Sequence, residues 1–383
     1  MNPATNRVFI HIGVPKTGTT YLQGVLAANR GIVRKLGVLY PGPGQAHFLA
    51  AQDLTEHLFM GRENPRVSGS WPRLVKQARG WRGTVVLSHE LLTMASPEHV
   101  QRAVSDLAPA EVHVIATVRD FERQLPAVWQ ERLKNGGKVS FQRHFQQAQE
   151  HSGAGAGELE GFWKQQDVTT ILSRWSAAIP ADRIHVITVP PKGAPRDLLW
   201  RRFAGVIGID PSAVDLSAMQ VRSNTSLSAP QARFLRRVNA SLQDSVPRPV
   251  YISVVKRYLT QTLTSAEKIQ GHFGLTPQQR AVAQRWSAEL AAAVTQAGYD
   301  VVGDLQELGP TTGGPTETVG LDDVPASAEA GVAVDATASL LAWLASDRRP
   351  QPSTEPLGVA LAKRSERLDS WAGAVRRRLH SRR

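Results

Sequence analysis

Three short stretches of this 383-residue chain carry side chains able to do chemistry together. The first is Pro15-Lys16-Thr17-Gly18-Thr19-Thr20, which follows an apolar, β-branched run at residues 8–12 and precedes Tyr21, Leu22, Val25 and Leu26 at helical spacing. A strand that turns through a glycine loop into a helix makes an anion site. The first helical N–H groups have no intrahelical partner, and the helix dipole adds partial positive charge where they point. The second stretch, Ser88-His89-Glu90, ends another β-branched run and offers two groups able to accept a proton. The third, Arg119-Asp120, ends a further run, with Arg123 about one helical turn beyond it. Guanidinium groups so placed suit a phosphate.

The spacing inside the first stretch narrows the chemistry. Gly13 and Gly18 are separated by four residues, the length of a GxxxxGK[ST] loop, but Thr19 stands where that motif has its lysine. The loop's lysine is Lys16, which would meet a ligand from the crest, near whatever group the first phosphate carries. At this point PKTGTT resembles the 5′-phosphosulfate loop of sulfotransferases that use 3′-phosphoadenylyl sulfate (PAPS). The likeness extends over about residues 7–305 and is absent from the tail. It implies a P-loop-like fold and transfer of a sulfuryl group to a hydroxyl or amine of a glycan, lipid or small molecule. It also implies PAPS as donor without a metal, and a nucleotide held by Pro15, Lys16, Thr17, Gly18, Thr19 and Thr20. Lys16 would stabilise charge developing on the leaving phosphate.

The same resemblance assigns Arg119 to the 3′-phosphate. Members of the family carry a serine eight residues later; here that position is Ala127, and Arg123 is the candidate substitute. Related enzymes place a catalytic His or Glu where this chain has His89-Glu90. Adjacent residues leaving a strand face opposite ways, so one of the two should enter the cleft. The reading leans slightly to Glu90 and leaves His89 open as catalytic base. Arg222-Ser223-Asn224-Thr225-Ser226 resembles a loop that many members place over the nucleotide, and an ordinary polar turn explains it equally well.

The elements that must position these groups alternate. Strands are expected at 8–12, 37–40, Thr84–Ser88, Glu111–Val118, 183–189 and 299–305. Helices are expected from Thr19 to about Leu36, at 47–60, 71–82, Pro97–Leu107 behind a Ser96 cap, Phe121–Lys134, 167–178 and 196–207, and at 230–242, 250–263 and 277–297. Strands and helices alternating in this way predict an α/β fold, with a central parallel sheet flanked by helices in three layers. Such sheets bind ligands at the carboxyl ends of their strands. The sites after the first, third and fourth expected strands all fall there.

Zero cysteines exclude disulfides, thiolate catalysis and cysteine-ligated zinc, and suit a cytoplasmic protein. No secretory signal and no apolar run of about 18–20 residues is expected to direct the chain into a membrane. Half of the +12 net charge lies in 363–383, with eight basic and two acidic residues. No nucleic-acid-binding motif accompanies the charge, so nucleic acid is not an expected partner. The chain divides into a catalytic domain at 1–308, a linker at 309–336 rich in Gly, Thr, Pro and acid, and a flexible helical tail at 337–383. That tail combines spaced apolar residues with arginines, the composition of a helix on an anionic membrane surface or of a solvated end. Two further readings stay open. One is a nucleotide-dependent kinase, disfavoured by the position of Lys16; the other is a non-catalytic nucleotide- or anion-binding protein.

Overall fold

Parallel strands buried on both faces need apolar residues at nearly every position, and the β-branched runs supply them. The computed structural model describes residues 6–57, 64–152, 161–217, 226–242, 245–265, 274–310 and 324–346. Its strands are β1 (Arg7–Gly13), β2 (Val38–Leu39), β3 (Thr84–Ser88), β4 (Glu111–Val118), β5 (Ile184–Thr188) and β6 (Asp300–Val302). They form one sheet in the order β2-β3-β1-β4-β5-β6, with every pairing parallel. β1 lies between β3 and β4; the chain leaves it for the edge strand β2, returns to fill the gap with β3, and then crosses to β4, β5 and β6 on the other side. This reversal places a crevice at the carboxyl end of β1, where open α/β sheets take ligands.

Helices α1 (Thr19–Ala28), α2 (Arg30–Lys35), α3 (Ala46–Thr55), α4 (Ser70–Arg79), α5 (Pro97–Leu107) and α6 (Phe121–Lys134) alternate with the first four strands. They are followed by α7 (Phe141–Glu150), α8 (Val168–Ser176), α9 (Leu198–Ile207) and α10 (Ala229–Leu242). Next come α11 (Arg248–Val250), a π-helical segment at Tyr251–Leu259 and α12 (Thr260–Ser265) in unbroken succession, then α13 (Pro277–Gln296) and α14 (Ala326–Ala345). On one face of the sheet, Phe9, Val86, Ile115 and Ile187 pack against Leu22 and Leu26 of α1 and Trp200 and Phe203 of α9. Residues pointing to the opposite face, including Ile10, Leu87, Val114 and Val186, are equally buried. The architecture is thus the three-layer α/β arrangement expected of a P-loop-like fold.

The first helix does not run to Leu36. Asn29 interrupts it, because its side chain bonds the Asp215 carbonyl (3.0 Å) and accepts from the Asp215 N–H (2.9 Å). Helix α7, absent from the sequence reading, starts where Ser140 accepts from the Arg143 N–H (3.2 Å). The linker read at 309–336 also needs correction. Residues 326–336 are the first half of α14, which buries Val332 and Ala336 and sets Glu329 between Arg233 (2.9 Å) and Arg237 (2.8 Å) of α10. These partners lie far away in sequence, so composition alone could not show them. The chain divides at Ala336 into a large unit and Thr337–Arg383, so α14 crosses the division. Over an 18-residue window α14 has a mean hydropathy of 1.3, so by length and composition alone it is long and apolar enough to cross a membrane. Residues 347–383, including the basic tail, lie outside the described residues, as do 222–225.

Candidate active site

The loop after β1 is shaped by backbone that few side chains accept. Gly13 (φ 104), Lys16 (φ 72) and Gly18 (φ 92) are all left-handed. At Gly18 a Cβ would also stand 2.4 Å from Leu199 Cδ2, so a side chain there would have to displace the tip of Leu199 as well as adopt left-handed backbone. Thr17 is fully buried and turns inward, bonding the Val14 carbonyl and the Thr117 hydroxyl. Thr117 in turn donates to the Gly13 carbonyl (3.1 Å), and its own carbonyl accepts from the Val14 N–H (3.1 Å). Gln124 of α6 donates to the Pro15 carbonyl (2.6 Å), and Gln166 approaches the same oxygen at 3.4 Å.

These bonds hold the carbonyls of the loop inward. Among the described residues, the backbone N–H groups of Lys16, Thr17, Gly18, Thr19 and Thr20 meet no protein acceptor. No side chain caps α1, whose first turn contains no acidic residue, and the Thr20 side chain is exposed. Successive open N–H groups at a helix start form a concave anion cradle.

The two neighbouring strand ends close on this loop. Glu90 Oε2 accepts from Thr19 Oγ1 at 2.7 Å, which sets the carboxylate against the first residue of α1. His89 instead caps the short turn that follows β3, its Nδ1 accepting from the Leu91 N–H (3.1 Å). Burial depresses its pKa, opposed by Glu90. Behind them, Ser88 donates its N–H to His47 Nδ1 (3.1 Å), and its hydroxyl pairs with His11 Nδ1 (2.8 Å). Among the described residues His11 Nε2 has no partner although it is fully buried.

On the other side, Arg119 donates through Nε to Gln124 Oε1 (2.9 Å) and through Nη2 to the Arg123 carbonyl (3.1 Å). A guanidinium has five donors, which leaves three of Arg119's uncommitted. Burial, reinforced by Arg123 and opposed by Asp120, lowers its pKa to about 10, so it stays charged at neutral pH. Arg123, expected beside it as a phosphate ligand, is committed elsewhere. Its Nε pairs with Asp120, Nη1 donates to the Pro190 carbonyl (2.9 Å), and Nη2 approaches the Val189 carbonyl (3.4 Å). It ties the start of α6 to the end of β5.

Hydrogen bonds thus link the loop after β1 to Glu90 after β3 and, through Gln124, to Arg119 after β4. No family model matches the chain, and no curated protein matches it. Solved structures similar to it include the following two. A sulfotransferase from Alicyclobacillus acidocaldarius shares 17% identity over 68% of this chain and 98% of its own, with a TM-score of 0.39. A sulfotransferase domain from the curacin biosynthetic pathway shares 13% over 74% and 98%, with a TM-score of 0.32.

The structure adds residues that the sequence reading did not single out. Lys16 Nζ is 2.6 Å from Glu131 Oε2, across 115 positions of sequence. Thr117, Gln124 and Gln166 brace the loop, yet nothing in their local sequence separates them from ordinary polar residues. Trp129 of α6 is buried and donates to the Val139 carbonyl (2.9 Å), so it packs.

Proposed function

We propose that this chain transfers a sulfuryl group from PAPS to a hydroxyl or amine of an acceptor. The observation that carries the reading is the run of open N–H groups at residues 16–20, at the sheet's reversal point, with Lys16 on the crest. These donors and the α1 dipole suit the 5′-phosphate, and the uncommitted donors of Arg119 suit the 3′-phosphate. Lys16 is assigned to donate to the oxygen that bridges phosphorus and sulfur, where charge grows as that bond breaks. Glu90 faces the loop and is assigned as the base that takes the acceptor's proton as the new bond to sulfur forms. His89 supports the turn that presents it. The PAPS donor supplies an activated sulfuryl group, and adenosine 3′,5′-bisphosphate is the leaving product.

The test is incubation with labelled PAPS and a panel of hydroxyl and amine acceptors, with a chelator present, alongside ATP with Mg²⁺. Label passing to an acceptor without the metal supports transfer. Turnover of ATP with no affinity for adenosine 3′,5′-bisphosphate would make the chain a kinase. Tight bisphosphate binding without turnover of any acceptor would favour the non-catalytic reading.

A further inference from the structure

The last turns of α6 gather charge beside the loop crest. Glu131 Oε2 accepts from Lys16, while its Oε1 accepts from Lys256 Nζ (3.2 Å) and Asn135 Nδ2 (3.1 Å). Lys256 also donates to Asn135 Oδ1 (2.7 Å). Lys134 shares the same field: burial lowers its pKa, and Lys16 and Lys256 lower it further against the pull of Glu131. Among the described residues it has no hydrogen-bond or ion-pair partner. Burial alone would raise the pKa of Glu131, but Lys16 and Lys256 outweigh it and hold the group below the usual carboxylate range.

Two ammonium groups therefore contact one carboxylate, which leaves one positive charge unbalanced, and the charge of Lys134 on the same helix adds to it. Lys16 and Lys256 are each about one-third exposed, at 35% and 37%, so the cluster is open to solvent but only partly screened by it. Like charges held together in this way repel, and the arrangement favours an arriving anion. The phosphates of the donor already have the loop N–H groups and Arg119. Lys256 contacts the same carboxylate as Lys16, and Lys134 stands three residues after that carboxylate on α6. We propose that this cluster binds an anionic group of the acceptor, a carboxylate, sulfate ester or phosphate, so that the acceptors are acidic molecules. The assignment to an acceptor rests on the sulfotransferase reading.

The experiment uses the full chain saturated with adenosine 3′,5′-bisphosphate and titrates it with sodium sulfate at constant ionic strength, followed by calorimetry. The complex should take up sulfate, and Lys134→Ala with Lys256→Ala should weaken that uptake by about tenfold or more, the scale of lost charged contacts. Glu131→Gln should tighten it, because it removes the competing carboxylate. A merely structural role would weaken both, so the opposite signs are the discriminating result. Bisphosphate affinity should stay within about twofold in the double variant. A complex that takes up no sulfate, or takes it up equally without the lysines, overturns the proposal. Bisphosphate affinity that falls in parallel would give the cluster to the donor. If the wild-type chain binds no bisphosphate, the sulfotransferase reading fails and the acceptor assignment with it. Lysine-dependent sulfate binding by the free chain would then mark an anion site of another kind.

Discussion

Two strand-to-helix junctions sit side by side on this sheet and treat their polar groups in opposite ways. After β4, the start of α6 is closed: Asp120 accepts from the Arg123 N–H (2.9 Å) and pairs with the Arg123 guanidinium, which also reaches two carbonyls beyond β5. After β1, the start of α1 is open, with left-handed backbone, no side-chain cap and N–H groups that meet no acceptor among the described residues. A capped helix start is complete in itself, whereas an uncapped one still needs an acceptor. The closed junction thus fixes the frame, and the open one retains the capacity to bind. Arg119 belongs to the closed junction by position and to the open one by its spare donors.

The sharpest test lies where β3 meets the open junction. Glu90→Gln should slow transfer by about 10²–10⁴-fold and remove the acidic limb of the kcat/KM profile against pH. His89→Gln should keep that limb, because His89 caps a turn. If the limb survives in Glu90→Gln and vanishes in His89→Gln, the two roles are exchanged.

Acid should loosen the open side of the crevice through its histidines. Burial, with His89 nearby, lowers His11 from 6.5 to about 3, and burial does the same to His47 against its bond to the Pro41 carbonyl. Burial and Arg132 bring His144, which lies outside the crevice, to about 3. A folded pKa below the unfolded one means that unfolding takes up protons. The stability these groups contribute is complete above 6.5 and is lost as pH falls toward 3. Each histidine should remove about 1.4 kcal/mol per pH unit within that window, so three give about 4 kcal/mol per unit. Urea unfolding at pH 6 and pH 5 measures the slope. His47→Gln should reduce it by about a third, and an unchanged slope would remove His47 from the account.

What could be read from sequence and what could not divide along the same line of local against distant cause. The boundaries of α5 and α6 match their reading because Ser96 and Asp120 cap them within three residues. Strands β3 and β4 match because an unbroken apolar run is its own signal. The three site stretches were visible because each follows such a run. The break at Asn29, the helical start of α14 and the Lys16–Glu131 pair were not, since each depends on a partner about a hundred or more positions away in the chain. Arg123 shows the other limit: its spacing from Arg119 suited a phosphate, and only the folded chain shows three of its donors engaged with Asp120 and two carbonyls.

Lys16→Ala tests whether the open junction acts in transfer or only in binding. A donor lost from a developing charge should lower kcat by about 10²–10³-fold, or about 2.7–4 kcal/mol, with a smaller loss of bisphosphate affinity. Unfolding in urea should hardly change, because the pair with Glu131 is partly exposed and such pairs contribute about 0–1 kcal/mol. A variant with normal kcat would leave Lys16 as a binding residue and weaken the distinction between the junctions.

Arg119 is where the comparison is most exposed to failure, since it belongs to both junctions. If its uncommitted donors serve a 3′-phosphate, Arg119→Ala should weaken adenosine 3′,5′-bisphosphate by about 1.5–3 kcal/mol, the range for hydrogen bonds to charged groups. Adenosine 5′-monophosphate, which lacks that phosphate, should bind almost as before. Arg123→Ala should show the opposite pattern. Its loss leaves Asp120 buried without its guanidinium, so the fold should weaken while the preference between the two nucleotides is kept. Calorimetric titration of both variants with both nucleotides, beside urea unfolding, separates the outcomes. Equal weakening of the two nucleotides by Arg119→Ala would return Arg119 to the closed junction, as a brace for Gln124 and through it for the Pro15 carbonyl. The 3′-phosphate would then need another ligand.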